Sequence, residues 1–452
     1  MKDVIVIGGG VSGLTAAWLL RRAGMKVLVI EANDVVGGNL RTEQEAGYTF
    51  EQGPHSFMPS SDAVWEMIEE LDLVDQVEPA SAAGQERYIF KQGKLVKLPM
   101  SMGSFLSTPL ISFGAKLRLM TEPFRKGEAS KDDTAYDFFV RRLGQEAVKW
   151  MIGPFVSGIY AGDPAKLGAR DAFNKMWLWE KESGSMIRGA MKYMKGKKKE
   201  REGRPYKSGL LSFKGGLGVL TKRLGDDLGK DINAGESVQN LYKNSTRWVI
   251  DTEVARYECR NIVLAVPPGA ASNLIVDVSQ KMSKLLARIE MSPVAVVHLG
   301  IKGEDAKTIP DGFGFLAPRG EGIRTLGCVF TSRIFKERAP EGCHILSCYI
   351  GGVFDKEAIS LSDEILLEAV LIDLENVFGR KFEPEFARIL RHPQAIPQLN
   401  LRHIEQIEQI KNLADELGNM ELAGNYLSGV GMNDAVLSGQ VAARQLLDKN
   451  KV

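Results

Sequence analysis

The sequence predicts an α/β protein, and three observations support that prediction. The apolar run Val4–Ile7 is followed at once by a glycine turn and a helix-forming segment, as in a parallel strand buried on both faces. A second apolar run, residues 26–30, follows that segment, so strand, helix and strand alternate. Further strand-forming runs lie after residue 210 and near the C-terminus. We therefore expect a sheet assembled from separated pieces of the chain, with α+β elements inserted between them.

The first turn has the spacing GxGxxG from Gly8 to Gly13. Between a strand and a helix, this spacing is typical of a Rossmann-like dinucleotide site, where amides at the helix start hold a pyrophosphate. Glu31 ends the second strand, and its carboxylate can accept both hydroxyls of an adenosine ribose. The spacing alone leaves FAD and NAD open. The residues predicted to bind the dinucleotide are Gly8, Gly9, Gly10, Val11, Ser12, Gly13, Glu31 and Ala32.

The residues after Glu31 favour FAD as the cofactor. The stretch 32–42 resembles the second glycine motif of the amine-oxidase-like flavoprotein superfamily. Glycines in this motif can bring backbone amides close to the phosphates, with Arg41 as a charge partner. The predicted FAD contacts here are Gly37, Gly38, Asn39, Leu40 and Arg41.

Later segments are expected to complete the FAD site. Residues 213–217, 238–241, 248–250 and 261–267 resemble the second FAD-binding block of this superfamily, and Val238 would pack on adenine. Residues 429–434 lead into a predicted helix, 435–447, whose first amides can face the flavin pyrimidine oxygen. The absence of cysteine there indicates noncovalent FAD. The further FAD contacts are Asn425, Val430, Gly431 and Met432.

Four segments narrow the resemblance to the oxygen-dependent protoporphyrinogen oxidases, over essentially the whole chain. Residues 51–57 look like a flavin-contacting loop that supplies Gly53, Pro54, His55 and Ser56; residues 155–164 are similar to a mid-chain signature. Residues 312–316 resemble an active-site strand, and residues 396–398 resemble the loop before the last FAD segment.

This resemblance implies a FAD-dependent six-electron oxidation of protoporphyrinogen IX to protoporphyrin IX in haem biosynthesis. The flavin would accept hydride in three cycles and pass electrons to O2, which makes three molecules of hydrogen peroxide. Alternatives are coproporphyrinogen III oxidation, amine or carotenoid oxidation, and a non-enzymatic flavin- or tetrapyrrole-binding protein. The sequence at Arg87 and residues 312–316 favours protoporphyrinogen.

The implied substrate needs apolar walls and a cation at the rim, because porphyrinogens are large apolar rings with propionates at one edge. Arg87 occupies the position where the family places a propionate-binding arginine. Phe313 and Leu316 would flank the ring, and Gly314 would leave room at the reacting carbon. The substrate residues implied are Arg87, Gly158, Phe313, Gly314, Leu316 and Tyr349.

The chain order predicts interleaved domains and a membrane contact. The expected FAD-binding pieces are 1–80, 205–275 and 385–452, with a helical insertion at 85–200 and a substrate sheet at 275–385.

Residues 98–120 are mostly apolar, which favours a monotopic membrane anchor, with a cover over the substrate pocket as the alternative. The expected location is peripheral, on the cytoplasmic side of a membrane and partly in the cytoplasm. The resemblance also leaves a homodimer open as the assembly.

Composition excludes several classes of protein. Lys and Arg number 58 and Asp and Glu 57, so a net charge of +1 provides no field for nucleic acid. The basic run 192–207 is predicted to be a solvated loop, ahead of an anionic-lipid contact and a nucleic-acid patch. Four scattered cysteines without a CxxC pair argue against a disulfide framework, and no histidine spacing indicates a metal site. No apolar stretch is long enough for a signal peptide or a transmembrane helix.

Overall fold

A computed structural model describes residues 1–200, 206 and 208–449, without the side chains of 197–200. The prediction of a loop over the basic run 192–207 is wrong for residues 192–200, which belong to the helix Met186–Glu200, whereas 201–205 and 207 lie outside the described residues. The strands, in chain order, are β1 (Lys2–Ile7), β2 (Val27–Glu31), β3 (Thr42–Glu45), β4 (Tyr48–Glu51), β5 (Val77–Pro79), β6 (Arg87–Lys91), β7 (Lys94–Lys97), β8 (Leu211–Phe213), β9 (Ile232–Ala234), β10 (Val238–Lys243), β11 (Trp248–Thr252), β12 (Arg256–Leu264), β13 (Met291–Lys302), β14 (Gly314–Leu316), β15 (Gly327–Val329), β16 (Cys343–Gly351), β17 (Phe386–Pro397) and β18 (Met420–Leu422).

Helices connect and cover these strands. They are α1 (Val11–Arg22), α2 (Asp62–Glu70), α3 (Met102–Ser107), α4 (Phe113–Met120), α5 (Ala135–Leu143), α6 (Gln145–Ala147), α7 (Gly153–Tyr160), α8 (Ala169–Ala172), α9 (Asn174–Ser183), α10 (Met186–Glu200), α11 (Gly218–Leu228), α12 (Pro268–Ile275), α13 (Gln280–Ala287), α14 (Gly303–Thr308), α15 (Thr331–Ile334), α16 (Asp363–Phe378), α17 (His403–Leu417) and α18 (Met432–Lys449). A single π-helical segment, Val148–Ile152, leads into α7.

The first sheet has the strand order β10-β11-β12-β1-β2-β9, and β18 also pairs with β12. Val4 of β1 lies opposite Val27 on one side and Asn261 on the other, both in parallel register. Apolar side chains cover both faces: α1, α2, α11 and α18 pack on one face and α12, α13 and α17 on the other. The buried parallel strand predicted at Val4–Ile7 is confirmed.

The second sheet has the order β17-β13-β16-β15-β14-β6-β7. Helix α16 covers one face with residues such as Leu366 and Val370. The opposite face packs against β4 and against the helical region between β7 and β8. Because β14 pairs in parallel with β6, two segments more than 200 residues apart lie side by side.

The chain passes from one sheet to the other at positions that differ from the expected domain boundaries. Strand β17 pairs with β13 in the second sheet, with Met291 opposite Pro397, so the return to the first sheet comes after residue 397 and not at 385. Strands β6 and β7 also belong to the second sheet, so the helical region begins near residue 98 and not at 85. Helices α12 and α13, residues 268–287, pack on the first sheet, which therefore extends past 275.

The helical region is held together by a buried ion cluster. Arg142 is fully buried and lies 2.8 Å from the Glu122 carboxylate and 3.4 Å from that of Glu180. Glu122 also accepts hydrogen bonds from Ser185 and from the Met186 amide, which fixes the start of α10. Removing one member would leave an unpaired buried charge, which makes this cluster a rigid frame for the surrounding helices.

Candidate active site

The start of α1 is a buried helix end without a side-chain cap. Gly10 is the N-cap residue, and Val11, Ser12 and Gly13 are buried in the first turn, which contains no acidic residue. A buried helix end with free amides needs another hydrogen-bond acceptor, and the helix dipole favours an anion there. This arrangement fits a pyrophosphate at the predicted dinucleotide motif.

Three glycines of this motif have different packing. A Cβ on Gly8 would lie 2.5 Å from the Ala265 oxygen, and one on Gly13 would lie 2.0 Å from the Gly8 oxygen. A Cβ on Gly10 would meet no atom within 4 Å. Gly8 and Gly13 therefore allow close packing of strand and helix, whereas Gly10 faces open space that a ligand can fill.

Glu31 is buried and held in a fixed orientation at the end of β2. One carboxylate oxygen accepts from the Gly9 amide at 2.6 Å, and the other accepts from the Asn33 amide at 2.8 Å. The oxygen bound to the Gly9 amide, Oε2, retains a further lone pair for a ribose hydroxyl. The sequence analysis missed the role of Asn33, whose side chain also donates to Glu31; Ala32 is exposed beside them.

The second glycine motif packs directly on the first. The Gly37 amide donates to the Gly9 oxygen at 2.7 Å, and a Cβ on Gly38 would lie 3.2 Å from the Gly10 Cα. Arg41 donates through Nε to the Gly38 oxygen at 3.1 Å. The turns after β1 and β2 therefore form one continuous backbone surface.

The loop 53–56 joins this surface through glycine packing. A Cβ on Gly53 would lie 2.5 Å from the Asn39 oxygen. Leu40 is buried, whereas Pro54 is exposed and Ser56 is partly buried. This contact brings the loop predicted to touch the flavin against the second glycine motif.

His55 is a buried imidazole that packs against the second sheet. Its ring centroid lies 6.2 Å from that of Tyr349 and 6.3 Å from that of His298. Burial lowers the pKa of His55 to about 3, and the nearby Arg338 cation contributes in the same direction, so the ring is neutral. Neither ring nitrogen has a hydrogen-bond partner in the described part of the chain. Buried polar atoms normally have hydrogen-bond partners, so a bound cofactor would supply the partner that these nitrogens lack.

Glu51, next to this loop, is a site feature that sequence reasoning missed. Its carboxylate accepts from the Thr42 hydroxyl at 2.6 Å and from the Leu217 amide at 2.9 Å. It thereby connects the second glycine motif to the segment before α11. Burial raises the pKa of Glu51 to about 7, although both hydrogen bonds oppose this change.

The C-terminal pieces reach the same edge of the first sheet. A Cβ on Gly439 would lie 2.2 Å from the Ser12 oxygen, so α18 packs tightly beside the start of α1. Helix α18 begins at Met432, three residues before the predicted start, and the Gly431 amide donates to Asp434 at 3.0 Å. The remaining predicted contacts are Val238 at the start of β10, Asn425 in a 3-10 turn after β18, and Val430 before α18.

The predicted substrate residues meet on the second sheet. Arg87 lies opposite Gly314, and Ile89 lies opposite Leu316, in the parallel register of β6 and β14. The Arg87 guanidinium lies 5.0 Å from the centre of the Phe313 ring. Within the described residues, no carboxylate forms an ion pair with Arg87, and burial lowers its pKa. A half-buried cation without a counter-ion is available for an anionic ligand.

Helix α7 lies over this strand and forms an apolar wall. A Cβ on Gly158 would lie 2.4 Å from a methyl carbon of Leu316. Phe155 and Ile159 share that helix face and are each 40% exposed. The sequence analysis did not single out these two side chains. On the sheet side, Gly327 lies opposite Tyr349 and contacts Leu316, so Tyr349 belongs to the same surface.

A dinucleotide surface on the first sheet, together with an apolar surface and an unpaired cation on the second sheet, fits a flavin-dependent oxidoreductase. The chain matches the profile of the flavin containing amine oxidoreductases over residues 11–447, and it belongs to that family. FAD is its cofactor, and the buried helix end at Gly10, the carboxylate of Glu31 and the orphaned nitrogens of His55 fit that group. In the described segments, no group of three His, Cys, Asp or Glu side chains is placed to hold a metal ion.

Relatives and solved structures agree with this assignment. Protoporphyrinogen oxidase 1, chloroplastic, of Arabidopsis thaliana is 32% identical over 96% of this chain and 86% of that protein. Coproporphyrinogen III oxidase of Bacillus subtilis (strain 168) is 26% identical over 99% of this chain and 98% of that protein. A crystal structure of a protein from Exiguobacterium sp. 255-15 has a TM-score of 0.85 at 23% identity and covers 99% of both chains. The predicted α/β fold is confirmed, and the membrane-binding role of the helical insertion stays a prediction.

Proposed function

We propose that this enzyme oxidises protoporphyrinogen IX to protoporphyrin IX with O2 as the electron acceptor. The observation that supports it most is the unpaired guanidinium of Arg87 at the edge of an apolar cleft, above which α7 passes at Gly158. An apolar ring with carboxylates along one edge matches such a cleft. The similarity to plant protoporphyrinogen oxidases over nearly the whole chain agrees with it.

In this proposal the protein orients the ring and the cofactor carries the redox chemistry. Arg87 binds a propionate through two parallel N–H donors, which fixes the plane of the carboxylate as well as its position. Phe155 and Ile159 cover the ring from one side and exclude water, while Leu316 and Tyr349 support it from the sheet. Bound FAD supplies a hydride acceptor that O2 reoxidises.

The neutral ring of His55 fits this arrangement. Because burial keeps its pKa near 3, it adds no positive charge beside the cofactor at physiological pH, and it can donate or accept one hydrogen bond.

Anaerobic mixing tests the proposal. Purified holoenzyme mixed with protoporphyrinogen IX should lose its oxidised flavin absorbance, and admission of air should restore it with three hydrogen peroxide molecules formed per porphyrin. Acid precipitation should release the FAD intact, since no cysteine lies near α18 in the sequence. Flavin that stays oxidised with porphyrinogens, but is bleached by an amine or a carotenoid, would reject the proposal in favour of those alternatives. Flavin that none of these reduces would favour a binding protein.

Coproporphyrinogen III is the second candidate substrate. A specific observation favours it: another arginine without an ion-pair partner in the described chain, Arg319, follows β14. Coproporphyrinogen III carries propionates on all four pyrroles, so it can use cations at more than one edge.

We also propose that the enzyme binds the cytoplasmic face of a membrane peripherally. Large apolar side chains are exposed on α3, on α4 and in the residues that flank them, with Phe113 of α4 80% exposed and Phe124, in the 3-10 turn after α4, 85% exposed. A patch of this kind is typical of an interaction surface, and the nearby Lys116 and Lys126 would suit anionic lipid headgroups. None of the described helices is long and apolar enough to span a bilayer. The patch consists of Met100, Met102, Leu106, Phe113, Leu117, Met120 and Phe124.

A further inference from the structure

Two arginines without carboxylate partners lie near opposite ends of β14. Arg87 is paired with Gly314 at the start of this strand, and Arg319 follows its last residue, Leu316, by three positions. At about 3.3 Å per residue, the backbone from Gly314 to Arg319 spans at most about 16 Å. β14 therefore has a cation near each end, with Arg87 half-buried and Arg319 exposed in the turn after the strand.

The sheet topology places Arg319 at the end of the second sheet where the C-terminus of α7 is attached. Strands β14 and β16 are both antiparallel to β15, so they run parallel to each other and end at the same edge. Arg319 follows one strand end and Phe354 follows the other, and the Arg319 Cζ lies 3.1 Å from the centre of the Phe354 ring. Ala161, directly after α7, accepts from the Val353 amide at 2.9 Å. The end of the helix is thereby attached at this edge.

The acidic residues near Arg319 are engaged elsewhere. Asp355 accepts two hydrogen bonds from Arg324, at 2.6 and 2.8 Å. Asp163 accepts from the Ala165 amide at 2.9 Å. Throughout the described ranges, Arg319 has neither an ion pair within 4 Å nor a hydrogen bond to its guanidinium, which instead stacks on Phe354. Stacking fixes the plane of the guanidinium and leaves its N–H edges free, as bidentate binding of a carboxylate requires.

We propose that Arg319 binds a propionate on the edge of the macrocycle opposite to the one held by Arg87, and that it determines how well the enzyme accepts coproporphyrinogen III. This inference rests on the proposed porphyrinogen oxidase function. Protoporphyrinogen IX carries its two propionates on neighbouring pyrroles and therefore on one edge. With that edge at Arg87, Arg319 faces a vinyl-bearing edge of protoporphyrinogen and a propionate-bearing edge of coproporphyrinogen.

The test compares kcat/KM for the two porphyrinogens in the FAD-loaded wild type and in Arg319→Ala. We expect Arg319→Ala to lower kcat/KM about tenfold for coproporphyrinogen III, through KM, and to change it less than twofold for protoporphyrinogen IX. Arg319→Lys should recover part of the loss, because a lysine supplies the charge without the planar donors. Lys356→Ala, which removes an exposed cation from the same loop region, is the matched control and should affect neither substrate.

Several outcomes would overturn the proposal. Equal losses on both substrates would make Arg319 a structural residue, and an unchanged coproporphyrinogen rate would remove it from the site. A wild type that oxidises protoporphyrinogen but not coproporphyrinogen would also contradict it, while leaving the proposed function intact. A wild type that oxidises neither would reject the proposed function, and the role of Arg319 with it.

Discussion

At the scale of single residues, Arg87 differs from Arg141, which is also half-buried. The Arg141 guanidinium lies 2.5 Å from the carboxylates of Asp133 and Glu180, whereas the Arg87 guanidinium lies over the Phe313 ring and forms no ion pair within the described residues. A cation that is partly removed from water without a counter-ion costs stability, so its presence indicates that a ligand supplies the missing charge.

Replacing Arg87 should reduce turnover of protoporphyrinogen IX without affecting FAD. We expect Arg87→Ala to lower kcat/KM ten- to a hundredfold, which corresponds to about 1.4 to 2.7 kcal/mol of transition-state stabilisation. Arg87→Lys should restore only part of the activity because it cannot fix the plane of the carboxylate. Steady-state kinetics with a flavin-content measurement checks this, and Lys94→Ala on the adjacent strand is the control. Wild-type kinetics in Arg87→Ala would exclude it as the anchor.

Glu51 illustrates how burial makes a carboxyl group sensitive to pH. Its pKa is raised from 4.5 to about 7, so the folded state binds a proton that the unfolded state releases. Stability therefore falls as the pH rises from about 4.5 to 7 and stays lowered above that, by about 3 kcal/mol in total. The cost of desolvating the charge, which the Thr42 and Leu217 hydrogen bonds only partly offset, is the cause.

Glu51→Gln should remove this dependence, because an amide cannot ionise and still accepts from Leu217. We expect the variant to unfold in urea at about the same midpoint as the wild type at pH 5, and at a clearly higher one at pH 8, with FAD in excess. Glu253→Gln, at an exposed position, should follow the wild type at both values. Parallel pH profiles of wild type and Glu51→Gln would show that Glu51 ionises normally.

At the scale of elements, the segment 98–120 divides into a buried part and an exposed part. Leu110 and Ile111 are buried against Ile89 and Trp150, and they anchor the segment to the second sheet. The apolar side chains of α3 and α4 point instead to solvent, at i and i+4 positions on each helix. The membrane-anchor prediction therefore concerns the exposed residues of α3 and α4, and the pocket-cover alternative concerns the buried residues; both stay predictions.

Substitutions on the exposed face should release the protein from membranes without unfolding it. Phe113→Ser combined with Phe124→Ser removes two side chains that are 80% and 85% exposed. Burying a phenylalanine contributes roughly 1.5–3 kcal/mol, so binding to anionic lipid vesicles should weaken at least tenfold. Vesicle sedimentation measures this.

The matched control is Val35→Ser with Val254→Ser, which are also exposed but belong to the first sheet and its loops. This pair should bind vesicles as the wild type does. If the two double variants and the wild type all partition equally, the patch on α3 and α4 does not bind lipid.

At the scale of the whole molecule, the parts predicted from sequence are those with a local signature. The strand Val4–Ile7, its glycine turn and Glu31 lie within about 30 residues, so their spacing alone defines the geometry. The association of Arg87 with Gly314 was reached through family resemblance, since the two are brought together only by the pairing of distant strands.

The features that sequence reasoning missed depend on distant contacts. Leu110 and Phe113 lie in the same apolar stretch of sequence, which does not show which of them is buried. Leu110 is buried because it packs against Trp150, forty residues later in the chain. Residues 386–397 have the pattern of a strand, but the sequence does not show which sheet that strand joins. Its partner β13 lies about a hundred residues earlier, and this pairing places the domain boundary after residue 397. Arg338 lies in a polar stretch typical of a surface loop, yet it is buried against Ser212 and Phe213.

The contact between Gly439 and Ser12 has a consequence for biosynthesis. The last helix closes on the first, so the surface that holds the dinucleotide is incomplete until nearly the whole chain has left the ribosome. At 5–20 residues per second, the first helix waits roughly 20 s to more than a minute for its partner. During that interval the nascent chain exposes the apolar face of α1 that α18 later covers, which makes it a client for chaperones. We therefore expect stable FAD binding only after α18 has packed beside the start of α1.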